Sequence, residues 1–196
     1  MYMRLQEKYK KKIVPKMMAE YPYKNIFAVP RLVKAVINVG FGRNVKDKVF
    51  IDNVISSLTR LAGQKPILTK AKKSISAFKI KQGMIIGAMV SLRGKRMYDF
   101  VEKLIHITFP RVKDFRGLSE NQLDKQGNLS IGIRENLAFP EINADEVDKI
   151  HSLEVCLNTT ANDREPALAL FKLMGFPFKH EESEYGRKER NNIKHD

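Results

Sequence analysis

The spacing of apolar residues along this chain switches between a helical period and a period of two, and each switch predicts an element. Leu5, Tyr9, Ile13 and Met17 recur at helical spacing and predict a basic, weakly amphipathic helix over 4–20. Pro22 and Pro30 bracket a loop. RLVKAVINVGFG then alternates, with Val33, Ala35, Ile37 and Val39 on one side and Lys34, Val36 and Asn38 on the other. That is a strand with one buried face. In DKVFIDNVISSLTRLAG, Ile51, Val54, Ile55, Leu58, Leu61 and Ala62 form a helical stripe, and Gly63 is placed to stop it. PILT is a short strand. IIGAMVSLRG is another, turning Ile86, Ala88, Val90 and Leu92 inward and Met89, Ser91 and Arg93 outward.

Residues 95–109 predict a helix on Met97, Val101, Leu104 and Ile105, ended by Pro110, and a long loop follows. NLSIGIRE and LEVCLNTTA alternate as strands through Leu129, Ile131 and Ile133, and through Leu153, Val155 and Leu157. Asp163 and Pro166 open a last helix on Ala167, Leu170, Phe171 and Met174, closed by Gly175. The sum is a single α+β domain over 1–179: an antiparallel-leaning sheet, helices on one face, the other face open. That open face carries Asn38, Ser91, Arg93, Ser130 and Arg134, which is polar and partly basic. Residues 180–196, almost free of apolar side chains, read as a disordered polar tail.

Charge sharpens this reading. The 196 residues carry a formal net charge of +14, the footprint of a chain that meets polyanions. Its distribution matters more than its total. No acid stands between Asp52 and Asp99, where Arg60, Lys65, Lys70, Lys72, Lys73, Lys79, Lys81, Arg93, Lys95 and Arg96 fall. By contrast, Glu135, Glu141, Asp145, Glu146 and Asp148 lie together with no basic residue among 135–148. Two partners of opposite charge fit such a chain. One cysteine excludes an internal disulfide. No apolar run of membrane length and no secretory leader is present, so the chain reads as cytosolic, with no membrane partner.

The densest basic stretch is TKAKKSISAFKIKQG at 69–83. A lone lysine run is ordinarily a solvated surface. Here Lys70, Lys72, Lys73, Lys79 and Lys81 are held between two predicted strands, and Gly83 and Gly87 permit close approach of backbone to another molecule. Ser74, Ser76, Phe78 and Gln82 add hydrogen-bonding and stacking groups, the mixture that RNA contacts require. Other readings are weaker. GFG at 40–42 lacks the third glycine of a dinucleotide fingerprint, because Val45 occupies that place. The outward strand positions lack the aromatic pair of a single-strand reader. The four scattered histidines and the carboxylates follow no metal-ligand or catalytic spacing, so no cofactor and no enzyme is expected. A binder of folded RNA, gripping phosphates and shape, fits best.

Several segments in order carry a resemblance over about Tyr9 to Lys179. They are VPRLVKAVINVGFG, GQKPILTKAKKSISAFKIKQG, IGAMVSLRG, FPRVKDFRGL, FPEI, NTTA and GFPFK. Together they resemble the universal large-ribosomal-subunit protein five family, the 5S rRNA-binding ribosomal proteins, in its bacterial form. The resemblance implies a non-catalytic, ribosome-bound, cytoplasmic assembly protein of the central protuberance, set among large-subunit rRNA and other proteins there. It implies 5S rRNA contacts at Asn38, Gln64, Lys65, Ser91 and Arg93, Ser91 standing where threonine is usual. It implies that Lys70, Lys72, Lys73, Ser74, Phe78, Lys79, Lys81 and Gln82 reach toward the P-site tRNA. It also implies a bridge from Glu141, Asp145, Glu146 and Asp148 to small-subunit protein thirteen. Charge and fold alone leave open an RNA chaperone or repressor working off the ribosome on the same scaffold.

Overall fold

The computed structural model describes residues 3–142 and 150–179. Five strands form one sheet: β1 (Leu32–Gly40), β2 (Ile67–Lys70), β3 (Ile85–Leu92), β4 (Leu129–Ile133) and β5 (Leu153–Thr159). Their order is β2-β3-β1-β5-β4 and every pairing is antiparallel. The helices are α1 (5–20), α2 (Lys48–Ala62), α3 (94–111) and α4 (Arg164–Met174). This is the expected α+β architecture.

Alternation decides the two faces. Ala35, Ile37 and Val39 of β1, Ala88, Val90 and Leu92 of β3, the odd positions of β4 and Leu153, Val155 and Leu157 of β5 are all buried in one core. Helix α2 lies against β3 and α3 against β1, while α1 contacts α3 and α4. At Val33 the alternation fails. The β1–β5 register shifts between Leu32 and Lys34, so Leu32 is buried and Val33 is exposed. A bulge inserts one residue and flips the side chains beyond it.

Capping accounts for the limits of α2. The Asp47 side chain accepts a hydrogen bond from the Phe50 N–H at 3.1 Å, and Gly63 takes φ +62° to end the helix. Its buried stripe runs through Phe50, Val54, Leu58 and Leu61, with Ile51 and Ile55 only half-buried. Val54, Leu58, Leu61 and Ala62 are buried as predicted, and Phe50 takes the first-turn place expected of Ile51.

Proline shapes α1 and α3 in the same way. In each, a π-helical stretch (Tyr9–Ile13 and Leu104–Thr108) runs up to two residues before a proline, Pro15 or Pro110. The residue preceding the proline donates its N–H five residues back, Val14 to Tyr9 and Phe109 to Leu104. A proline has no N–H to give and crowds the carbonyl four residues earlier. The wider turn is the local answer to both problems. Pro110 therefore does not stop α3, which continues to Arg111.

Candidate nucleic-acid interface

The face turned away from the helices is built in rows set by the strand register. One row runs Ile67, Met89, Asn38, Glu154 and Gly132 across all five strands. The next runs Ser91, Val36, Cys156 and Ser130, and beyond it Lys34 stands opposite Asn158. None of these side chains belongs to the core. Ser91 is a diagonal neighbour of Asn38 across the β1–β3 pair. Such neighbours sit roughly 7–8 Å apart, within reach of one nucleotide. Arg93 follows β3 directly and is exposed, at the end of the sheet that also holds Lys34. Gln64 and Lys65 precede β2, and since Ile67 pairs with Met89, they fall at the Ser91 end. Asn38 and Ser91 thus share the open face, with Asn38 in its central row, while Arg93, Gln64 and Lys65 lie along the chain at the end of the sheet beyond Ser91.

Val36 and Met89 lie on this face as their alternation predicts, and with Cys156 they make its middle partly apolar. Sequence reasoning left Glu154 out of the face. Glu154 places a carboxylate between Asn38 and Gly132, and Asn38, Ser130, Arg134 and Glu154 border a shallow depression of 420 Å³. The signal was present in LEVCLNTTA, whose even positions had to face outward. The Cys156 thiol is pushed above its usual pKa, chiefly by burial and also by Glu154, against a hydrogen bond from Ser130. It is a poor nucleophile there.

The basic loop is an ordered extension of the β2–β3 hairpin. Ala71 N–H donates to Met84 O at 2.8 Å and Gly83 N–H to Ala71 O at 2.9 Å, which closes its base. Ile75 and Ile80 exchange backbone hydrogen bonds at 2.9 and 3.1 Å, which closes its tip. Between them, Gln82 N–H donates to Ser74 Oγ at 2.9 Å. Lys70, Lys72, Lys73, Lys79 and Lys81 are all exposed, and Phe78 is 72% exposed at the tip. Lys79 takes φ +53°, a left-handed conformation uncommon for a side chain beyond Gly, Asn and Asp. The Ser74 hydroxyl is thus used in holding the loop together, whereas Gln82 contributes its backbone N–H.

Gly83 and Gly87 each have a role in the fold. A Cβ on Gly87 would lie 2.7 Å from Val39 O and 2.8 Å from Thr69 Oγ1, so β3 needs glycine there to sit between its neighbours. Gly83 takes φ +84° to turn the chain back into β3.

The acidic bridge residues divide. Glu141 is not a free charge: its carboxylate pairs with Lys103, which also donates to Leu61 O at 3.0 Å and lies over the Phe100 ring. Asp145, Glu146 and Asp148 lie outside the described residues. Among the described residues, no group of three or more His, Cys, Asp or Glu is placed to hold a metal, and no helix is long and apolar enough to cross a membrane.

Comparison with known proteins decides the family. A model of ribosomal protein L5 matches residues 25–81, and a model of the ribosomal L5P family C-terminus matches 85–178. The chain belongs to the ribosomal L5 family. The large ribosomal subunit protein uL5 of Halothermothrix orenii is 51% identical over 89% of this chain and 97% of its own length. That of Fervidobacterium nodosum is 52% identical over 89% and 95%, and that of Chloroflexus aurantiacus 49% over 91% and 99%. The family is one of structural, non-enzymatic, RNA-binding ribosomal proteins, and its members work bound to the ribosome in the cytoplasm. The two family models meet inside the β2–β3 loop, yet β3 pairs with both β2 and β1, so the sheet crosses the boundary between them.

Proposed function

We propose that this large-subunit ribosomal protein binds 5S rRNA on its open sheet face and so helps to anchor it at the central protuberance. The observation that carries the reading is that Asn38 and Ser91 are diagonal neighbours on a face that no described helix covers, with Arg93, Gln64 and Lys65 flanking it beyond Ser91. Polar groups on a rigid sheet fix register on a folded RNA, and flanking lysines and arginines supply attraction independent of sequence. The 70–82 loop, stiffened at base and tip, presents its lysines and Phe78 to the sugar-phosphate surface of P-site tRNA. The acidic stretch 141–148 faces small-subunit protein thirteen, a basic partner. In that bridge Glu141 has a structural role through Lys103, and the contact rests on Asp145, Glu146 and Asp148.

Pulldown of the tagged chain from a ribosome-depleted lysate, with the bound RNA sequenced, tests this reading. Enrichment of 5S rRNA over 16S rRNA fragments and mRNA supports it. Enrichment of mRNA leaders with no 5S rRNA points instead to a repressor or chaperone working off the ribosome.

A further inference from the structure

A second surface lies where the sheet ends. Between the 111–118 segment and the outer edge of β4 is a cleft of 620 Å³, rimmed by Arg111, Lys113, Arg116, Arg134 and Lys179 against Asp114 and Glu135. Lys113 reaches Glu135 at 3.6 Å but is 83% exposed, so that pair contributes little and the rim stays cationic. Inside the rim, half-buried Val112, Phe115 and Leu137 give the cleft an apolar lining. Its wall is preformed. Phe115 stacks on Phe109 with ring centroids 5.1 Å apart, Leu118 N–H donates to Pro177 O at 2.7 Å, and Lys179 N–H donates to Leu118 O at 2.9 Å.

The backbone beside this cleft is open to pairing. β4 ends the sheet, and over Ile131–Ile133 no described strand pairs with its outer edge. Gln122, also in the lining, has a buried Oε1 with no hydrogen-bond donor among the described residues. A phosphate backbone answers only the cations, because its oxygens are acceptors and can satisfy neither the edge carbonyls nor the Gln122 oxygen. An extended peptide answers all three features. Its N–H and C=O groups pair with a strand edge, alternate side chains turn to the apolar lining, and the rest stand at the rim. We propose that the cleft takes an extended segment of a partner protein, acidic residues alternating with apolar ones, added as a strand to the edge of β4. The proposal concerns the edge of the sheet and not its open face, so its failure leaves the 5S rRNA reading standing.

The test titrates the full chain with a peptide of about seven residues, glutamate alternating with valine, read by amide NMR. The expected result is saturable shifts at residues 113–117 and 131–134 at ~0.05 M salt, weakened near ~0.5 M where the Debye length is short. Proline at two adjacent central positions of the peptide removes a ladder N–H whichever way it faces, and should weaken binding by about tenfold or more. Lys113→Glu with Arg116→Glu should weaken it by about tenfold as well, while the rest of the spectrum keeps its dispersion. Absence of shifts overturns the proposal. So does equally tight binding of a polyglutamate of the same charge, since the rim then acts on charge alone. An oligouridylate that moves the same amides at lower concentration than the peptide also overturns it, because the cleft is then an RNA site.

Discussion

Asn38 of β1 and Glu154 of β5 stand directly opposite one another in the middle of the uncovered sheet face. An amide that can read RNA therefore has a carboxylate beside it, and the carboxylate repels the phosphates that the surrounding cations attract. Glu154→Gln removes the repulsion and keeps the shape. Since an exposed charge of this kind is worth up to about 1 kcal/mol, 5S rRNA binding should tighten by about threefold at low salt. A filter-binding or fluorescence titration measures it. Loss of binding would mean that Glu154 itself accepts a hydrogen bond from the RNA.

The loop and the face separate in their roles. Lys72→Glu with Lys73→Glu leaves 5S rRNA affinity nearly unchanged and weakens tRNA-dependent steps such as P-site tRNA retention on assembled ribosomes. Neither lysine stabilises the fold through any contact that would be lost, since both are exposed beside the hydrogen-bonded base of the hairpin. Abolished 5S rRNA binding in the double variant would show that the loop and the face grip one RNA.

Salt dependence counts the phosphates. If about six contacts form, affinity drops on the order of a thousandfold between ~50 and ~200 mM salt, by the rule for duplex DNA. A flat salt response would leave the rows of the open face without their electrostatic partner.

Gly87→Ala tests the sheet beneath the loop. The added methyl meets Val39 O and Thr69 Oγ1 below 3 Å, and overpacking of this order costs about 1–3 kcal/mol. The urea midpoint should fall accordingly, with no change in m-value.

Alkaline pH tests the seat of α1. The Tyr9 hydroxyl donates to Pro30 O at 3.0 Å, and its pKa is pushed up to about 12, by burial first and then by Tyr98, with Arg31 opposing. Unfolded tyrosine ionises near pH 10, so between about pH 10 and 12 the unfolded state releases a proton that the folded state keeps. Stability from this group is complete below pH 10 and falls as pH rises toward 12. Tyr9→Phe lowers stability by about 1 kcal/mol at neutral pH through the lost hydrogen bond, and it flattens the decline above pH 10 in urea midpoints.

Most of the fold was legible because period-two and helical spacings are local. Leu129, Ile131 and Ile133 face inward as their alternation requires, as do Ala167, Leu170, Phe171 and Met174 of α4. What escaped depends on partners distant in sequence. Val33 lies outside the core because of a register shift against β5. Pro110 sits inside α3 because a π turn absorbs it, and proline alone does not announce that turn. Gly87 is explained by Val39 and Thr69 on two other strands. In the site, the lysines were readable as charge. The row joining Asn38 to Glu154 needs the β1–β5 register, which no single segment encodes.

The central claim is that a folded RNA covers the helix-free face, and the chain's single cysteine reports on it directly. Cys156 lies in the row Ser91, Val36, Cys156 and Ser130, so its alkylation rate by a small maleimide at mildly alkaline pH measures access to that face. Saturating 5S rRNA should slow the modification by about tenfold or more, and the protection should disappear at high salt as the complex dissociates. An unchanged rate in a complex shown to be fully formed would place the RNA elsewhere on the protein and contradict the account.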